Sequence, residues 1–280
     1  MQILITGASG QVGQAILRHY QDQPGQSCWL ASRRSHLPSS RHRYFDFTDP
    51  EGSRSTLTRT DVLFILRPPQ LADVEGVFAP LLRVAVEEGV QHILFLSVQG
   101  VEKMSFIPHA KLERLIRELP VRYTFFRPSY FMQNLETNLR EEIVDRDRIF
   151  LPSGKNPFLW VDVDDIGRAI ARVLESPAEH QQKIYTLTGT DRLPFSEVSA
   201  LLTEILGRTI RYQSPNPLFF AWYLRAQGES WGYIGVLLLL HYLPRFQSDP
   251  EKTGEIFSLT QKEPASLRTY LEANRDTWNS

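Results

Sequence analysis

The chain has 280 residues, with 31 Lys plus Arg against 32 Asp plus Glu and a formal charge of -1. That length brings one hydrophobic core to its upper size, so one large domain with a smaller lobe is expected. The balanced charge excludes a nucleic-acid binder by bulk charge, and 42% hydrophobic with 22% charged residues excludes disorder.

In chain order, Gln2–Thr6 predicts a strand that begins at once, and Gly7, Gly10 and Gly13 follow it into a helix over residues 11–21. Further strands are expected at 27–31, 43–47, 62–66, 92–97 and 122–126, with helices near 74–88 and 108–118. This alternation is that of β-α-β units on a doubly wound parallel sheet, an α/β fold. In the second of those helices Leu112, Leu115, Ile116 and Leu119 fall at i, i+3, i+4 and i+7, one face toward a sheet. After Arg127 the pattern turns irregular, with helices at 164–174 and 196–206 and a strand at 183–187.

Residues 214–246 are rich in Trp, Tyr, Phe and Leu, cut by Pro and Gly, and predict a smaller, mainly helical lobe on the substrate side. Trp222, Tyr223, Trp231 and Tyr233 would give its pocket an apolar lining, and the tail 264–278 reads as a docking terminal helix. The boundaries expected are 1–150 for the first domain, with 158–190 returning to it, and 191–280 for the lobe. The apolar run 233–243 has about half of the ~20 residues a spanning helix needs, so no membrane segment is expected. Helical geometry spreads Leu237 to Leu240 around all sides, which predicts a helix covered on more than one face, over a cleft or at a subunit contact.

The single cysteine, Cys28, excludes an intramolecular disulfide and a zinc site of several thiolates, and suits a cytoplasmic setting. MQILITGASG has no basic region ahead of an apolar stretch, so no signal peptide is expected.

The glycine series carries the most chemistry. Gly7 suits the tight turn, Gly10 lets a pyrophosphate approach the backbone, and Gly13 permits close helix-to-strand packing; Ser9, Gln11 and Val12 complete the loop. The helix start then faces the phosphates of a dinucleotide. Cofactor choice is read after the second strand, where NAD-binding chains usually carry an acid. Here Ser32, Arg33 and Arg34 stand instead, which predicts a 2′-phosphate and hence NADP(H) over NAD(H), the alternative being solvated surface arginines.

Asp46 and Phe47 are placed for the adenine edge, Leu66, Arg67 and Pro68 follow the fourth strand, Ser97 the fifth and Pro128 the sixth. All fall where open α/β sheets bind ligands. Arg67 is read equally as a ligand contact or a loop charge. The acidic run Asp162, Asp164, Asp165 precedes an amphipathic helix and reads as capping, not metal binding. Without paired histidines, a GxSxG elbow or a Walker lysine, the chain offers no metalloprotease, hydrolase or NTPase signature.

The segments TGASGQVG at 6–13, LSVQGVEK at 96–103, PHAKLE at 108–113, YTFFRPSYFMQN at 123–134 and WVDVDDIG at 160–167 resemble the NmrA-like atypical short-chain dehydrogenase/reductases over nearly the whole chain. The resemblance implies an NADP-binding Rossmann domain, with Lys111 on the nicotinamide ribose and Ser97 near a catalytic serine. The tyrosine of the superfamily's YxxxK falls at Ile107. His109, Tyr130 or water remain as proton sources.

The leading expectation is therefore an NADPH-dependent oxidoreductase of a small apolar carbonyl or quinone-like substrate, with room for a homodimer. The alternatives are a non-catalytic redox sensor that signals to a regulatory protein partner, and a nucleotide-sugar epimerase. Fold alone does not separate them.

Overall fold

The computed structural model describes residues 1–33, 40–247 and 250–279, so Arg34 lies outside the described residues. In chain order the elements are β1 (Gln2–Thr6), α1 (Gln11–His19), β2 (Ser27–Ser32), β3 (His42–Tyr44), α2 (Pro50–Leu57), β4 (Val62–Ile65), α3 (Ala79–Glu87), β5 (His92–Leu96), α4 (Pro108–Glu118) and β6 (Arg122–Phe126). There follow β7 (Tyr130–Phe131), α5 (Arg140–Arg146), β8 (Arg148–Phe150), β9 (Pro157–Val161), α6 (Val163–Glu175), β10 (Lys183–Tyr185) and β11 (Asp191–Pro194). The last are α7 (Phe195–Leu206), β12 (Arg211–Gln213), α8 (Pro217–Ala226), α9 (Trp231–His241), α10 (Glu255–Thr260) and α11 (Leu267–Ala273).

The first of two units comprises residues 1–129, 163–188 and 253–263. Its seven-stranded sheet runs β10-β6-β5-β4-β1-β2-β3, and every pairing is parallel. β4 and β5, VLFI and HILFL, are buried along their whole length, because helices cover both faces of such a sheet. One face carries α2, α3 and α4, whose Leu57, Leu81, Leu82, Leu112 and Ile116 meet Leu63, Ile65 and Phe95 of the strands. On the other, α1 packs on α6 and α6 on α10. The α1–α6 approach is close: a Cβ on Gly167 would stand 2.4 Å from Ala15 Cβ. Asp164 adds a tie, holding Arg18 at 2.8 Å and His19 Nε2 at 2.8 Å, while Asp165 pairs with Arg168.

The second unit comprises 130–162, 189–252 and 264–280. A three-stranded sheet, β11-β9-β7, and the parallel pair β12-β8 surround an aromatic core in which Trp160, Phe195 and Trp278 are wholly buried. Leu267, Tyr270 and Leu271 of α11 join that core.

Several expectations need correction. The first unit ends at Ser129, not near 150, and residues 253–263 return to it, where Glu255 accepts the Thr186 N–H. The third strand stops at Tyr44, because the Asp46 carboxylate accepts the Thr48 N–H at 2.9 Å and turns the chain. The helix expected over 74–88 divides into a π-type turn, Val74–Phe78, and α3, since Pro80 has no N–H to continue the ladder. α9 is covered on one side only: Ile234, Leu237 and His241 are buried and Tyr233 and Leu238 partly so, whereas Val236 and Leu240 are exposed.

Candidate active site

Between β1 and β4 the sheet order reverses, and there the chain leaves Thr6 through Gly7, whose φ of +66° favours glycine. The Gly10 N–H closes this turn on the Gly7 carbonyl at 3.0 Å. Thr6 Oγ1 accepts the Leu66 N–H at 2.8 Å, which ties the tails of β1 and β4 together. Gly10 caps α1 without a side chain, and no acid stands in the helix's first turn. The start of α1 is therefore open to an anion, with Ser9, Gly10 and Gln11 exposed and Val12 buried.

The glycines do different work. A Cβ on Gly13 would lie 2.3 Å from the Gly7 carbonyl oxygen and 2.6 Å from Ala8 Cα, so packing requires glycine there. A Cβ on Gly10 would meet only the Gly7 oxygen at 3.4 Å. Within the chain itself there is room for a side chain at Gly10.

At the end of β2, Ser32 Oγ lies 3.0 Å from His42 Nε2, and Arg33 is exposed with no hydrogen bond or ion pair to any described residue. Phe47, expected at an adenine, is turned into the core, edge-on to Phe45 at 5.1 Å and against Phe78 at 5.3 Å. Only Asp46 of that pair keeps an accessible side, and its Oδ1 is engaged by Thr48. Arg67 folds back on its own loop, donating from Nη1 to the carbonyls of Pro68 at 3.0 Å and Leu71 at 2.9 Å. Burial lowers its pKa, and its Nε is buried without a partner.

At the tail of β5, Ser97 is 2% exposed and its Oγ has no partner. The ladder between the β5 and β6 tails continues there, with the Ser97 N–H on the Phe126 carbonyl at 2.7 Å and the Gln99 N–H on the buried Pro128 at 3.0 Å. Ser129, which the sequence reading missed, ends the same tail and also has an unpartnered, buried hydroxyl. Native chains leave few such hydroxyls unpaired, so two at one sheet edge point to a missing acceptor or donor. Lys111 is half-buried on α4, and its ammonium meets no hydrogen-bonding partner among the described residues.

The acid candidates fare differently. Ile107 is buried at the start of α4. His109 stacks on Phe95, centroids 6.0 Å apart, and burial, with the nearby Arg67 charge, pushes its pKa down to about 3. It is a neutral imidazole near pH 7 and not the near-neutral proton donor expected. Tyr130 lies in the core of the second unit, its hydroxyl 2.9 Å from His241 Nε2, and burial raises its pKa. It belongs to that core's hydrogen bonding, not to an accessible acid.

A buried ion pair was also missed. Arg127 at the end of β6 forks onto Glu113 of α4 at 2.9 and 2.6 Å and reaches Glu102 at 3.1 Å. It binds three segments: the turn after Ser97, the helix of Lys111 and the strand tail of Ser129. The signal was an acid between Leu112 and Ile116 on an inward helix face.

The four rings expected around a substrate do not gather. Trp222 and Trp231 point outward, Tyr223 bonds to Glu142 and to Arg148, and Tyr233 is half-buried. A hollow of about 480 Å³ lies at the opposite, amino-terminal end of the strands, beside Gln2, Trp29 and Asp61. Several of its polar groups pair with one another, the Gln2 N–H with Asp61 at 2.7 Å and Trp29 Nε1 with Gln2 at 2.6 Å, and it lies away from the glycine loop.

Agroclavine dehydrogenase of Claviceps fusiformis is 28% identical over 295 residues, covering 99% of each chain. Among solved structures, an NADPH-dependent quinone oxidoreductase from Escherichia coli, complexed with NADPH, superposes with a TM-score of 0.83 at 18% identity, covering 97% of this chain and 99% of that one. Citrobacter triphenylmethane reductase, complexed with NADP(H), gives 0.82 at 19% identity over 98% and 99%. At these identities the structures show a shared fold. The NmrA-like family model matches residues 45–221, most of the chain, and with the glycine loop and the motifs around Ser97, Lys111 and Arg127 now placed on one sheet edge, the chain belongs to the NmrA-like family.

Proposed function

We propose that the chain is an NADPH-dependent reductase of a small apolar carbonyl or quinone-like compound. The observation that carries this reading is the uncapped, acid-free start of α1, at the same carboxyl edge of the sheet as the unpartnered Ser97 hydroxyl. When bound, the nicotinamide cofactor supplies the hydride. The backbone from Gly7 to Gly13 would hold its pyrophosphate, Ser32 and Arg33 a 2′-phosphate, Asp46 with Leu66 and Pro68 the adenosine side, and Ser97, Lys111 and Pro128 the nicotinamide ribose side.

Of the acid candidates, Ile107 is apolar, His109 is neutral and Tyr130 is engaged with His241, which favours water as the proton source. That suits acceptors whose reduced form tolerates negative charge, as a quinone's does, and disfavours an epimerase, whose usual base is the missing tyrosine.

The test pairs NADPH and NADH titrations with steady-state turnover of a quinone and an enone. NADPH is expected to bind more tightly, and Arg33→Ala to weaken it by roughly 10- to 100-fold, the loss of a hydrogen bond to a charged group, with NADH little changed. Equal affinities in the wild type would overturn the cofactor preference. Tight NADPH binding without turnover of either acceptor would overturn the enzyme and favour a nucleotide-sensing regulator.

A further inference from the structure

Among the described residues, large exposed apolar side chains concentrate on two helices of the second unit. Leu218 is 81%, Phe219 51% and Trp222 64% exposed on α8, and Trp231 is 65%, Val236 56% and Leu240 41% exposed on α9. Each helix already satisfies the core with another side: Phe220 of α8, and Ile234, Leu237 and His241 of α9, are buried. The helices pack on each other, and Phe219 stacks on Trp222 with centroids 5.8 Å apart. The outward sides of both helices are thus apolar beyond the core that each already covers. At Gly235 the backbone itself is open, since a Cβ there would meet nothing within 4 Å. Monomeric proteins seldom leave a patch of this size in water.

We propose that this face is where two copies of the chain meet, α8 and α9 of one copy against α8 and α9 of the other. The area fits. Six side chains of this size, two-fifths to four-fifths exposed, present roughly 700 Å² between them, against about 800 Å² per partner in a standard stable interface. The charge fits as well. From Asn216 to His241 the charged side chains are Arg225 and Glu229, of opposite sign, so two identical faces approach without like-charge repulsion. An anionic lipid surface asks instead for Lys and Arg around the apolar side, which one arginine offset by one glutamate does not provide.

Sedimentation velocity of the full chain, with and without NADPH, tests this. The wild type is expected to dimerise with increasing concentration, and Trp222→Glu with Val236→Glu to weaken self-association roughly 100-fold or more while circular dichroism and melting stay as in the wild type. The exposed Phe257 of α10, changed to Glu, should leave the dimer intact. Should the double variant misfold, Gly235→Cys gives an independent reading, because the native Cys28 is buried and cannot compete. On oxidation this variant should form a disulfide-linked dimer. A wild type that stays monomeric at every concentration overturns the proposal, as does a dimer that survives both glutamates while Gly235→Cys fails to crosslink. So does a monomer that floats with phosphatidylcholine–phosphatidylglycerol vesicles, or one that loses only turnover of an apolar substrate on Trp222→Glu.

Discussion

Gly10 and Gly13 of the loop make separable demands on the same backbone. Gly10→Val should leave the melting temperature nearly unchanged and remove binding of both nicotinamide nucleotides, because only Gly7 oxygen, at 3.4 Å, would face the new Cβ. Gly13→Ala should instead cost about 1–3 kcal/mol of stability, since its Cβ would overlap backbone atoms that cannot swing aside. Thermal melts beside nucleotide titrations distinguish the two. His109 makes a prediction of opposite sign to the one its sequence position suggests. With its pKa near 3, it gives turnover no limb around neutrality, so kcat between pH 6 and 8 should be flat and should stay flat in His109→Ala. A limb near pH 6.5 lost in that variant would restore it as the acid. The sequence placed His109 on the right helix. It could not show that Phe95 and Arg67, from other strands, would surround the ring.

α4 shows how much of an element can be read from spacing. Its bounds, Pro108–Glu118, follow from the apolar stripe and the proline at its start, as β1 follows from the apolar run Ile3–Ile5. What spacing could not give is the destination of Glu113, which has meaning only once Arg127, 14 residues on, folds against it. Arg127→Ala leaves Glu113 charged in the interior and should cost about 3–5 kcal/mol in denaturant unfolding, and Glu113→Gln less, because Glu102 still faces the guanidinium at 3.1 Å. Equal, small losses in both would show that water relieves the pair. α9 was misread for a related reason. An all-apolar helix reads as buried all round, but its neighbours come from other parts of the chain, and here they cover one side of it. In the second unit, short strands such as β7 and β12 lack the length to show a period at all. That is why the parallel sheet was legible and this unit's small sheets were not.

For the molecule as a whole, the histidines whose pKa burial lowers, His92, His109, His180 and His241, contribute to the response to acid. Burial holds His92 at about 4, His109 at about 3 and His241 at about 4, each below the ordinary 6.5. As pH falls below 6.5 the unfolded chain takes up protons that the fold cannot, so stability declines across the window from 6.5 down to 3–4 and is untouched above it. Each histidine contributes at most about 1.4 kcal/mol per pH unit. Melting temperature should therefore be level from pH 7 to 8 and fall steeply toward pH 4, with a shallower fall in His241→Phe; parallel slopes would assign the acid lability elsewhere.

The chain passes between its two units five times. During synthesis, at roughly 5–20 residues per second, the amino-terminal sheet cannot acquire its edge strand β10 until residue 185 has been made, nor α10 until residue 260. The unit that starts first is thus among the last parts to be finished, and a polypeptide cut anywhere between residues 130 and 263 leaves both units divided. Nascent chains must wait, with α1 lacking its partner α6, for most of the message to be read.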